Sequence, residues 1–74
     1  MIKYEHKAFY DSYGTGNYTE DKSENFSFDV TEEKAKKFVE MWIAVGATHY
    51  ETTKAHFYNV TTDSSHFTQF ILYK

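Results

Sequence analysis

The chain has 74 residues, no Cys, no Pro and a net charge of −3. That length supports one domain with one core, here spanning 1–74. The lack of Cys excludes disulfides and thiolate zinc sites, so stability has to come from packing or association. Arg is absent, and nonspecific nucleic-acid binding, which needs clustered Lys and Arg, is disfavoured.

Met1–Lys7 mixes charged and apolar residues, so no export signal is expected there. No stretch reaches the ~18 apolar residues of a membrane span. A cytoplasmic location is expected.

Residues 2–10 alternate, with Ile2, Tyr4, His6, Ala8 and Tyr10 on one face and Lys3, Glu5 and Lys7 on the other. That period of two predicts a strand. Residues 13–18, with Gly14 and Gly16 between Tyr13 and Tyr18, predict a turn. Residues 19–25 are polar and read as a loop or frayed strand. Residues 25–30 alternate strictly, with Phe26, Phe28 and Val30 directed inward, and predict a second strand.

A helix is expected from Thr31. Thr31 supplies the N-cap, and Glu32 and Glu33 suit the positive end of the dipole. Ala35, Phe38, Val39 and Trp42 fall at i, i+3, i+4 and i+7 and form one apolar face. Gly46 ends the helix near Val45. Residues 49–53 read as a short strand, and 55–61 and 66–73 as a hairpin turning at Thr62-Asp63-Ser64-Ser65. Both faces of 66–73 are partly apolar, which suits a central strand or an outer face that meets something. The fold class expected is α+β: an antiparallel sheet of four or five strands, in the order ββαββ, with one helix packed on one face.

Seven Phe, seven Tyr and Trp42 exceed what so small a core hides. Phe26, Phe28, Phe38, Trp42 and the Phe residues of the last hairpin are expected as core. Tyr10, Tyr13, Tyr18, Tyr50, Tyr58 and Tyr73 are expected at the surface, since each hydroxyl needs a partner or water.

The chemistry-bearing residues do not assemble into a motif. His6, His49, His56 and His66 lack metal-site spacing, and His49 and His56 would point to opposite faces of one continuous strand. Ser64, Ser65 and His66 are adjacent without being a triad. Gly14-Thr15-Gly16 is too short for a phosphate loop. No catalytic, cofactor or metal site is expected.

Charge is unevenly distributed. From Asp11 to Glu33, seven carboxylates face Lys22 alone. Three tyrosines flank the start of this stretch. Tyr10, Asp11, Tyr13, Tyr18, Glu20, Asp21 and Glu24 therefore form the candidate partner-binding surface, in which tyrosines supply rigid contact area and carboxylates steer towards a basic groove.

In size, acidity and lack of Cys the chain resembles the small proteins that bacteriophages use against host machinery, anti-CRISPR proteins among them. That resemblance implies an inhibitor, acting in the host cytoplasm, that blocks a basic nucleic-acid site on a larger protein or ribonucleoprotein. No direct contact with nucleic acid or membrane is expected. The alternatives are a self-associating domain, such as a homodimer, and a sponge for nucleotide signals.

Overall fold

A computed structural model describes residues 1–11, 14–63 and 65–74. The described residues form six antiparallel strands and one α-helix: β1 (Ile2–Tyr10), β2 (Thr19–Glu20), β3 (Phe26–Val30), α1 (Glu32–Ala44), β4 (Thr48–Glu51), β5 (Ala55–Asp63) and β6 (His66–Tyr73). A short 3-10 helix, Lys22–Glu24, lies between β2 and β3. The fold is α+β as expected, with six strands where four or five were expected.

The strand order across the sheet is β2-β1-β6-β5-β4, with β3 also on β1. The added strand β2 follows from a mismatch in length. Nine residues carry β1 about 30 Å, whereas β3 pairs only with Ile2–His6. The remaining edge at Phe9 and Tyr10 is taken by Glu20 and Thr19, and Asp21 N donates to Ala8 O at 2.8 Å. A two-residue strand has no alternation to read, which is why residues 19–25 look like a loop.

Strand β6 is central, between β1 and β5, as its two partly apolar faces predict. The hairpin it forms with β5 carries a register shift between Thr61 and Asp63.

Helix α1 leaves the β3 edge and delivers the chain to β4 at the other edge. Thirteen residues give about 20 Å of helix, enough to cross four inter-strand spacings of about 4.8 Å. Thr31 Oγ1 accepts from Lys34 N at 3.2 Å at the N-terminus. At the other end Gly46 adopts φ 89°, where only glycine is unstrained. Ala47 N then donates to Trp42 O at 2.9 Å and closes the last turn.

The core lies between α1 and the middle strands. It comprises Tyr4, Val30, Ala35, Trp42, Tyr58 and Leu72, with Ile2, Phe38, Val39, Ala47 and Phe70 against them. The expected split between buried Phe and exposed Tyr is partly inverted. Tyr58, expected at the surface, is 6% exposed, like Tyr4 at 5%, while Phe26 and Phe28, expected as core, are 50% and 44% exposed. Place in the sheet decides this. Tyr4 and Tyr58 sit on strands that α1 covers; Phe26 and Phe28 share that face but lie on the outer strand β3, of which Val30 alone is buried.

The face away from the helix is dressed rather than bare. Tyr50 stacks on Phe57 at 4.8 Å and Phe9 on Phe67 at 4.6 Å. Gln69 Nε2 donates to the Tyr50 hydroxyl at 3.0 Å, and the Tyr73 hydroxyl donates to Glu5 Oε1 at 2.7 Å. Beneath this layer Ile71 is only 2% exposed, although no helix covers it.

Candidate protein-binding edge

Of the seven residues singled out in the sequence, the six that are described do not gather into one patch. Asp11 is buried, and its carboxylate accepts from Thr15 N at 3.2 Å and Gly16 N at 2.6 Å. It holds the turn rather than facing a partner. Glu20 lies 4.0 Å from Lys7 Nζ and accepts from Asn25 Nδ2 at 2.8 Å. Asp21 caps the 3-10 helix, accepting from Ser23 N and Ser23 Oγ. Glu24 is exposed, in the first turn of that short helix.

The tyrosines separate as well. Tyr10 pairs with His66 and Thr19 on the helix side of the sheet. Tyr18 packs edge-on against Phe67, 4.8 Å between centroids, on the other side. Tyr13 lies outside the described residues.

A different surface emerges at β3. In the described residues β3 pairs with β1 alone, so its outer backbone groups are unpaired. Tyr4 is opposite Phe28 and His6 opposite Phe26. Their rings stack across the strands, at 5.0 Å and 9° for Tyr4 and Phe28, and at 4.5 Å and 9° for His6 and Phe26. Phe26 and Phe28 are parallel to each other within 3°. A four-ring ladder therefore ends at β3 with two phenyl rings about half exposed. Nothing in residues 25–30 read alone separates an edge strand from a covered one.

Acids bracket this edge. Asp21 and Glu24 precede β3, Asp29 lies within it, and Glu32 and Glu33 open the helix that follows. Lys3 is opposite Asp29 on β1 but its ammonium sits over the Tyr73 ring, 5.3 Å from the centroid.

Comparison with protein-family models, curated proteins and solved structures finds no match.

One other cluster differs from the sequence expectation. His49 and His56 do not point apart. The chain reverses at Thr52–Lys54, where Thr52 N donates to Ala55 O at 2.9 Å. The two residues are thus on neighbouring antiparallel strands and share a face. His49 Nε2 lies 3.2 Å from His56 Nδ1, a histidine pair in hydrogen-bond contact. Glu51 Oε2 is 3.9 Å from His56 Nε2 and accepts from Lys74 Nζ. The Lys74 hydrogen bond and charge hold the Glu51 carboxyl below its usual range. No group of three or more His, Asp or Glu suited to a metal occurs among the described residues.

An open cleft of about 480 Å³ lies between α1 and the sheet, floored by Ile2, Ala35, Val39, Tyr58 and Leu72, with Glu32, Lys36, Glu40 and His56 around it. Ala35 is small, while Trp42 and Phe70 fill the space further along the helix. No helix among the described residues is long and apolar enough to cross a membrane.

Proposed function

We propose that this protein is a binding module that occupies a basic surface on a larger protein or ribonucleoprotein, and so inhibits access of nucleic acid to it. The contact surface is the acidic β3 edge with Phe26 and Phe28, extending to Asp21 and Glu24. One observation carries the reading: two large apolar rings stand about half exposed on an unpaired strand, amid carboxylates that lack a matching number of lysines. Apolar area of this kind supports affinity, and the surrounding negative charge supports steering and selection of a basic partner.

The experiment compares wild-type protein with Phe26→Ser/Phe28→Ser and Glu24→Lys/Asp29→Lys as immobilised baits in a cell extract. A basic protein retained by wild type, lost with both variants and released by a soluble polyanion is the expected result. Equal retention by all three baits rejects this edge as the interface.

A further inference from the structure

We propose that the partner engages β3 by strand addition, through an extended segment that alternates apolar with Lys or Arg residues. This rests on the reading of the β3 edge as a contact surface for a basic partner, and names how that partner is held.

An edge strand presents N–H and C=O groups at the spacing of a ladder, and an incoming strand satisfies them. Strand β3 is five residues long, has no proline and contains no register shift against β1. Its outer edge is therefore a regular template.

The side chains then specify the occupant. Residues of an added strand alternate between the two faces with period two. On the helix side they meet the outer faces of Phe26 and Phe28. The cross-strand ring ladder from Tyr4 and His6 stops there, so apolar side chains of the new strand continue it. On the opposite side they meet Ser27 and Asp29. Both of these are exposed, and Lys3, the inner neighbour of Asp29, is drawn to Tyr73. A cation belongs opposite Asp29. Glu24 and Glu32 flank the two ends of the strand and favour further positive charge.

A second copy of this chain fits less well. Antiparallel pairing of two β3 strands about Phe28 would place Ser27 opposite Asp29, which is tolerable. It would also bring Glu24 of one copy towards Glu32 of the other at both ends. Pairing about Asp29 would oppose two aspartates directly.

The test uses wild-type protein and two synthetic peptides of alternating Lys and Val. In the second peptide every amide that would point at β3 is N-methylated, which keeps charge and apolar content but removes the donors. Titration followed by amide chemical shifts and hydrogen exchange reads both affinity and place. The expected result is binding of the first peptide, with β3 amides shifted and protected, and affinity for the second lower by about tenfold or more. Equal binding of both peptides would overturn strand addition while leaving a basic partner at this edge. Shifts centred on Tyr50 and Phe57 instead of β3 would overturn both. Protection of the β3 edge through dimerisation, without any peptide, would assign the edge to a second copy and overturn the proposal.

Discussion

Trp42 lies flat on Phe70, with ring centroids 4.6 Å apart and planes within 7°. The indole also contacts Tyr4, Phe38 and Tyr58 at 5.1 to 5.8 Å between centroids. One side chain of α1 thus joins the helix to β1, β5 and β6 together. Trp42→Ala is expected to lower stability by about 3–5 kcal/mol, since aromatic truncation in a core leaves a cavity. Urea unfolding followed by circular dichroism measures it. A loss below 1 kcal/mol would show that the stack is not what holds the helix down.

His6 stacks on Phe26 and meets Phe70 edge-on, and its Nδ1 is buried without a hydrogen-bond partner. An unsatisfied buried polar atom costs about 1–3 kcal/mol. His6→Phe keeps the ring and removes the atom, so it is expected to raise the melting temperature. A lower melting temperature would mean that the larger ring does not fit the stack.

Burial pushes the Tyr4 hydroxyl up from 10.0 to about 12. A raised folded-state pKa favours the native state fully below the ordinary value, and that contribution is lost as pH rises through about 12. Tyr4→Phe should therefore retain more of its neutral-pH stability above pH 10 than wild type does. Thermal melts across that range decide it. Parallel decline of the two proteins would place the alkaline sensitivity elsewhere.

Asp63 accepts from Ser65 N at 2.8 Å and lies 2.9 Å from His66 Nδ1. The backbone hydrogen bond from Ser65, then that from His66, hold its carboxyl down from 3.8 to about 2. A depressed pKa stabilises the native state above the ordinary value, and the effect fades as pH falls through about 2. Asp63→Asn should melt lower than wild type near neutral pH, with the gap narrowing at pH below 3.8. A gap independent of pH would assign the role of Asp63 to shape rather than charge.

Much of the fold was legible because its periodicities are long. Alternation over residues 2–10 gives β1 to the residue, and Ala35, Phe38, Val39 and Trp42 with Thr31 and Gly46 give α1. Strand β2 was not legible, since two residues carry no period. The site was less readable for another reason. Local sequence tells which face of a strand is apolar, but not whether a helix will cover that strand. Phe26 and Tyr4 have the same pattern around them, and only strand order makes one half exposed and the other core. Likewise Glu20 reads as one more acid in a polar run until Lys7 and Asn25 are brought to it from neighbouring elements.

The pairing of β1 with β6 sets a constraint on time. Glu5 and Tyr73 meet across 68 residues of chain, in the middle of the sheet rather than at its rim. Bringing such distant segments together delays the ordered state, because loop-closure entropy is lost before the contacts form. On a ribosome, β1 would emerge before β6, and although β2 and β3 follow it closely, its other edge would wait unpaired until β6 is free of the exit tunnel. Any interruption of synthesis before β6 leaves a chain without its central ladder, so assembly of this sheet is all or nothing.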